Sequence, residues 1–72
     1  MNANDKAYKM YKQLNYMSSK VFDIYHDHMY DIMGQIRCLS DEDNCEDELK
    51  VELDKMSNLL KSAQYMNKAY GV

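Results

Sequence analysis

The sequence predicts an all-α fold, and three observations support that prediction. The 72 residues include no proline and only two glycines, so most of the residues that punctuate strands and turns are missing. The chain is well supplied with Lys, Leu, Met and Glu, which favour helices. Its apolar residues recur at intervals of three and four, the spacing of one helical face. We therefore expect helices and a single domain over residues 1–72.

One long helix is predicted in the first half of the chain. Asn4 is a candidate N-cap, and Gly34 marks a point at which the last turns can fray or kink. The pattern predicts a helix over residues 5–38, which would be roughly 50 Å long at the α-helical rise. The apolar residues that define it are Ala7, Met10, Tyr11, Leu14, Met17, Val21, Ile24, Tyr25, Met29, Ile32, Ile36 and Leu39.

A second helix is predicted over residues 44–69, because apolar residues spaced by sevens form a coiled-coil-like ladder. The turn is expected over residues 39–44. Either Ser40 with Asp43 or Asp43 with Glu46 can cap the second helix, and a tighter turn at Ser40 alone is a further alternative. A short connection predicts a two-helix antiparallel hairpin, completed by a partner helix or by dimerisation. The ladder consists of Leu49, Met56, Ala63 and Tyr70.

A second apolar strip on the first helix would face solvent in a lone hairpin. It runs through Phe22, His26, Tyr30 and Met33, and exposed contiguous apolar area usually marks an interface. Seven tyrosines and seven methionines suit a binding surface, although an AT-rich genome would favour the same residues. The sequence therefore predicts binding to another protein. The predicted contact residues are Phe22, Tyr25, His26, Met29, Tyr30 and Met33.

The densest polar cluster has the residue types of a metal or acid–base site. Its three carboxylates fall four residues apart on one helical edge, and His28 lies within reach of Asp31. No Cys/His zinc spacing accompanies them, and two helices form no concave pocket for catalysis. We therefore expect no enzyme, no cofactor and no metal site, with His28 bordering the core near Ile24. The cluster consists of Asp23, His26, Asp27, His28 and Asp31.

Acidic residues are concentrated around the predicted turn. Residues 41–54 hold eight acids and one lysine in a chain of net charge −3, whereas Lys6, Lys9 and Lys12 are expected to meet Lys61 and Lys68 at the open end of the hairpin. Acidic side chains at this place can solvate the turn and stabilise the N-terminus of the second helix. Alternatively, they form a surface that binds a basic partner. The net charge disfavours direct nucleic-acid binding. The acidic surface residues are Asp41, Glu42, Asp43, Glu46, Asp47 and Glu48.

Cysteine content and hydropathy predict a cytoplasmic location. Cys38 and Cys45 are too few for a secreted disulfide scaffold, and we expect no bridge between them. No apolar run follows the opening Met-Asn-Ala-Asn-Asp-Lys, so we expect no signal peptide. The longest apolar runs are far shorter than the about 20 residues of a transmembrane helix, so we expect no membrane insertion.

In its length, its two apolar ladders and its acidic turn, the chain resembles the small E-type co-chaperones of bacterial type III secretion systems. In that family the hairpin pairs with a helical-repeat co-chaperone, and together they keep the needle subunit soluble and unpolymerised before export. The resemblance implies a small chaperone or co-chaperone that covers an amphipathic helix of its partner.

Two other functions are compatible with the sequence. A phage or mobile-element inhibitor would use the acidic surface at residues 41–54 as a DNA mimic. A homodimeric four-helix bundle would serve as a structural or regulatory module, and its stability would depend on protein concentration.

Overall fold

A computed structural model of the chain describes residues 2–42 and 44–70. Those residues form three α-helices, α1 (Ala3–Lys12), α2 (Ser19–Ser40) and α3 (Glu46–Tyr70), with a 3₁₀ turn at Gln13–Tyr16 between the first two. The described parts of the chain contain no strand. The all-α prediction is confirmed. The two-helix hairpin is not confirmed, because the first predicted helix is divided into α1 and α2.

The division lies at residues 13–18, where neither glycine nor proline interrupts the sequence. Ser18 adopts an extended conformation (φ −60°, ψ 152°), and its Oγ accepts a hydrogen bond of 3.4 Å from the Val21 N–H. The Ser18 N–H in turn donates to Asn67 Oδ1 of α3 at 2.9 Å. A serine N-cap contributes about 1 kcal/mol, so local capping and one tertiary hydrogen bond favour the start of a new helix here. The prediction of one helix over residues 5–38 is wrong for this reason.

The helix ends also differ in detail from the sequence pattern. Asn2, and not Asn4, caps α1, since Asn2 Oδ1 accepts from the Asp5 N–H at 2.9 Å. Asn44 has a φ of 63°, a left-handed conformation that asparagine tolerates better than most residues. The first helical turn of α3 closes between Leu49 N–H and the Cys45 carbonyl at 2.8 Å. The tight turn at Ser40 alone is therefore wrong, and Asp43, a residue of both capping alternatives, lies outside the described residues.

The core is apolar and draws on every helix. Met29 of α2, Met56 of α3 and Leu14 of the 3₁₀ turn are among its largest fully buried side chains. Burying one such side chain contributes about 1.5 to 3 kcal/mol. Within the described residues no polar or charged residue is buried. The buried residues are Ala7, Leu14, Val21, Met29, Ile32, Ile36, Met56, Leu60 and Ala63.

Hydrogen bonds and ring contacts define how the helices lie against one another. The start of α2 lies beside the end of α3, through Ser18 and Asn67. The Tyr11 ring of α1 meets the Tyr30 ring of α2 edge-on at 6.1 Å, and Gln64 Nε2 donates to Gln13 Oε1 at 3.3 Å. The N-terminal segment thus folds back along α2 and α3, and the molecule measures 44 × 19 × 14 Å.

This folding back changes the expected charge distribution and one part of the expected core. Asn4 and Asp5 border the same space as Arg37, close to the end of α2, so the N-terminal end of α1 lies towards the turn between α2 and α3 and not at the open end. The prediction of a single basic end is wrong.

The expected burial of Ile24 and the expected position of His28 at the core border are also wrong. Ile24 is 55% exposed and His28 is exposed too, because the buried stripe of α2 runs along Met29, Ile32 and Ile36 instead.

Candidate functional site

The six predicted contact residues fall into different environments. Met29 is fully buried in the core, so its assignment to a partner surface is wrong: its position on the helix coincides with the stripe that faces α3 and the N-terminal segment. Tyr30 is 62% exposed. The remaining four, Phe22, Tyr25, His26 and Met33, are half-buried.

Three of those half-buried residues make contacts within the molecule. The Phe22 and His26 rings stack with their centroids 4.8 Å apart and their planes 6° apart. The Tyr25 hydroxyl shares a hydrogen bond of 2.6 Å with Ser62 Oγ of α3. Phe22 also lines a shallow depression with Leu14 and other residues around the 3₁₀ turn. The Tyr25 hydrogen bond joins α2 to α3, whereas the Phe22–His26 stack lies within α2.

Tyr30 and Met33 belong to a cleft of about 300 Å³ between α1 and α2. The cleft combines aromatic and aliphatic surface with an acidic and a basic group, and we call it the α1–α2 cleft. The helix α1 contributes one wall and α2 the other. The lining residues are Asn4, Asp5, Ala7, Tyr8, Tyr30, Met33, Gly34 and Arg37.

Gly34 leaves one part of the α1–α2 cleft open. A Cβ atom added at Gly34 would meet no heavy atom within 4 Å, apart from its own local helix backbone. Helices normally approach closely where a glycine removes the side chain, whereas here α1 does not fill the space above it. The missing side chain therefore enlarges the cleft and does not serve helix packing.

The rings at the cleft are held in defined positions. Tyr11 lies next to the cleft and meets Tyr30 at an interplanar angle of 67°, a favourable edge-to-face arrangement. The Lys12 ammonium lies over the Tyr8 ring, 5.4 Å from its centroid. Tyr8 remains 55% exposed in spite of this contact. The cleft thus presents rings that are oriented by the protein but remain accessible.

Sequence reasoning missed Tyr8, Gly34 and Arg37 as members of one site. Tyr8 lies off the apolar line of Ala7 and Tyr11, and Arg37 reads as an ordinary basic residue near the end of a helix. Only the folding back of α1 brings them together. The signal that was available is the serine at position 18, an N-cap residue in the middle of an otherwise continuous helical pattern.

Exposure of tyrosine is a general feature of this surface. Five of the seven tyrosines are more than half exposed, whereas the buried core contains only aliphatic residues and methionine. Tyr16 and Tyr65 are the most exposed, at 86% and 82%. The Lys20 ammonium lies 5.6 Å from the Tyr70 ring centroid. Tyr is enriched in protein interfaces because it combines a large apolar ring with a polar tip.

The polar cluster of α2 faces solvent. Asp23, Asp27, His28 and Asp31 are exposed. His26 is half-buried, and its Nδ1 lies 3.4 Å from Asp27 Oδ1. Across residues 2–42 and 44–70, no three His, Cys, Asp or Glu side chains form a group suited to a metal ion.

The acidic residues around the turn are also exposed. Glu46, Asp47 and Glu48 occupy the first turn of α3, where acids interact favourably with the helix dipole. Asp41 and Glu42 lie exposed at the end of α2, and Asp43 is outside the described residues. In the part of the chain that the structure covers, no helix combines the length and apolarity needed to cross a membrane.

No protein-family model, no curated protein and no solved structure matches the chain. The resemblance to the type III co-chaperones stays a prediction based on length, helical pattern and charge. The α1–α2 cleft and the tyrosine-rich surface, by contrast, are observed directly in the structure of this chain.

Proposed function

We propose that this chain binds an amphipathic helix of another protein in the α1–α2 cleft, acting as a small chaperone or co-chaperone. The observation that supports this proposal is that two accessible rings, Tyr8 and Tyr30, line the same cleft as the open position at Gly34. An aggregation-prone helix is kept monomeric when a chaperone covers its apolar face.

The residue types of the α1–α2 cleft suit this role. Tyrosine and arginine are over-represented among the residues that contribute most to binding, and methionine adapts to the shape of its partner. A cleft of about 300 Å³ accepts one or two large apolar side chains, as the anchors of an amphipathic helix require. Asp5 and Arg37 provide polar contacts that fix the register of the bound helix.

The resemblance to the type III co-chaperones suggests two candidate partners. One is the needle subunit of a type III secretion system, and the other is its helical-repeat co-chaperone. Either would present an amphipathic helix in the cytoplasm, the compartment that we propose for this chain. No catalytic step and no cofactor form part of the proposal.

Substitutions at Gly34 test the cleft without removing any side chain. Because a Cβ there meets nothing within 4 Å, Gly34→Ala leaves most of the cleft free, whereas Gly34→Leu places a branched side chain inside it. We expect Gly34→Leu to weaken binding of a fluorescent amphipathic peptide at least about tenfold, a loss of roughly 1.4 kcal/mol. Gly34→Ala should bind as the wild type does. Fluorescence anisotropy measures both, and circular dichroism checks that each variant is folded.

Two probes make the result specific. The first is a peptide with leucines at i, i+3, i+4 and i+7, compared with an isomer that distributes the same leucines around the helix. The second is a peptide from a needle subunit. Tyr30→Ala should cost roughly 2 kcal/mol of binding, whereas Tyr65→Ala on α3 should cost almost nothing. Equal binding by Gly34→Ala and Gly34→Leu, or equal loss at Tyr30 and Tyr65, would contradict the proposed site.

The exposed acidic surface supports a second candidate function, inhibition of a DNA-binding protein by mimicry of phosphates. Five of its six residues are described, and all five are exposed. Changing Glu46, Asp47 and Glu48 to lysine should abolish capture of a basic partner and leave peptide binding at Tyr30 intact. Retained inhibition of DNA binding by the triple variant would eliminate this function.

A further inference from the structure

The boundary between α1 and α2 lies within a sequence that can also form one continuous helix. Ala7, Leu14 and Val21 are spaced by sevens across the boundary, and all three are buried. Tyr11, Phe22 and Met33 are spaced by elevens, which corresponds to three turns of helix. No proline or glycine lies between residues 3 and 33. The backbone chemistry of residues 13–18 is therefore compatible with a straight helix.

Two contacts of Ser18 hold the bent form. Its Oγ caps α2 at the Val21 N–H, and its own N–H donates to Asn67 Oδ1. The bent form also needs the N-terminal segment to dock, through Leu14, Ala7 and the edge contact of Tyr11 with Tyr30. An N-terminal segment from another copy can make those same docking contacts. Exchange of an identical element between two copies is a low-cost route to a dimer when a short hinge can straighten.

We propose that a second copy of this chain binds by exchange of α1. In the exchanged dimer, α1 and α2 form one helix over residues 3–40, and α1 of each copy packs on α2 and α3 of the other. Each half of the dimer then repeats the three-helix packing of the single chain. The two Ser18 caps are lost, and an antiparallel pairing of the two long helices around the hinge is gained.

The positions of the paired residues fit a two-fold axis. The Tyr11 and Tyr30 rings meet within the single chain, so in the exchanged dimer Tyr11 of one copy meets Tyr30 of the other, twice. The axis passes midway between them along the helix, near Lys20 and Val21. In a straight helix Tyr11, Phe22 and Met33 share one face, so the residues on both sides of the axis face the partner helix.

The exchange of α1 does not depend on the proposed peptide binding, because it involves only contacts between identical chains. It also differs from a four-helix bundle formed by two intact hairpins, in which α1 stays with its own chain. The exchange predicts that the hinge sequence controls the mass of the protein, whereas surface docking of two intact copies does not.

Ser19→Pro separates the two forms. Ser19 is the first helical residue of α2, a position that proline favours, and Ser18 already has the extended backbone that a residue before proline needs. In a continuous helix the same proline would remove a backbone hydrogen bond and clash with the preceding turn. We expect Ser19→Pro to keep its helical circular dichroism and to stay at the mass of one chain. Ser19→Ala is the matched control and should dimerise as the wild type does.

Ser18→Ala should act in the opposite direction. Removing the cap weakens only the bent form, and each dimer contains two hinges, so we expect the dimerisation constant to rise on the order of thirtyfold. The mass is measured by light scattering after refolding from denaturant over a wide range of protein concentration. Wild type and Ser18→Ala that both remain at one chain mass at the highest concentration would overturn the proposal.

Cross-linking decides whether a dimer is an exchanged one. The Gln13 and Gln64 side chains touch within the single chain, so Gln13→Cys with Gln64→Cys, in a Cys38→Ser and Cys45→Ser background, can be joined by a short bis-maleimide. In an exchanged dimer the link joins two chains, and denaturing electrophoresis shows twice the chain mass. A dimer whose links all lie within one chain would also overturn the proposal.

Discussion

The α2–α3 pair and the N-terminal arm, residues 3–16, are anchored very differently. The helices α2 and α3 have 22 and 25 residues and supply seven of the nine buried core residues of the described chain. The arm supplies Ala7 and Leu14. With 10 residues, α1 is shorter than the about 12 to 15 at which an isolated helix becomes marginally stable in water. The helices α2 and α3 therefore contribute most of the buried core, whereas the docked arm gives the cleft its shape.

The largest effect is expected from Met29→Ala, in the centre of the α2–α3 pair. Met29 is fully buried, so its truncation removes apolar contacts and leaves a cavity, at a cost of about 2 to 5 kcal/mol. Urea denaturation followed by circular dichroism measures the loss. Tyr65→Ala is the control and should change the free energy of unfolding by less than about 0.5 kcal/mol. If Met29→Ala were as stable as this control, Met29 would not be part of the core and would again be a candidate for the partner surface.

The next largest effect is expected from Leu14→Ala, which truncates a buried side chain of the arm. Leu14 is the arm's only large buried side chain, and its loss should weaken docking by about 2 kcal/mol or more. We expect backbone amides of α1 to lose most of their protection from hydrogen exchange, while those of α2 and α3 keep theirs. Exchange measured by mass spectrometry separates the two regions. Equal loss of protection in all three helices would show that the arm and the α2–α3 pair unfold as one unit.

The helical faces of the α2–α3 pair can be predicted from the sequence, whereas the position of the arm cannot. The buried ladder of α3, through Met56 and Ala63, follows directly from heptad spacing, because helical periodicity reports which face is apolar. In α2, the pattern correctly predicts burial of Ile32 and Ile36. It does not say where along a continuous apolar stripe the chain bends back. The position of the bend depends on the hydrogen bond between the Ser18 N–H and Asn67, which are 49 residues apart.

The candidate site is less predictable than the core for a related physical reason. Periodicity places Met29 beside Tyr30 and Met33 on one side of α2, and only the positions of the neighbouring helices determine which of them is covered. Met29 lies under the packed elements, whereas Tyr30 lies at the edge of α1 and stays exposed. Tyr8 enters the site because the arm folds back. A site formed between two helices therefore depends on their docking, which local sequence does not encode.

A smaller effect, in the stabilising direction, is expected from Gly34→Ala. The alanine methyl group meets no heavy atom within 4 Å outside the local helix backbone, and alanine favours a helix interior over glycine by about 0.5 to 1 kcal/mol. The midpoint of urea denaturation should rise accordingly. Ser62→Ala on α3, which removes the hydroxyl partner of Tyr25, serves as a comparison and should lower stability slightly. Destabilisation by Gly34→Ala would mean that α1 packs more closely on α2 than the cleft indicates.

The smallest effect is expected from the surface ion pair of α3. Lys55 Nζ lies 2.8 Å from Glu52 Oε2, but the lysine side chain is 57% exposed, so water and salt screen the attraction. Lys55→Ala should lower the free energy of unfolding by no more than about 0.5 kcal/mol, and added salt should reduce the difference. Lys61→Ala, at another exposed position of the same helix, gives the baseline. A loss as large as that of Met29→Ala would mean that surface charge, and not the buried side chains shared by α2 and α3, holds the stable half of the molecule together.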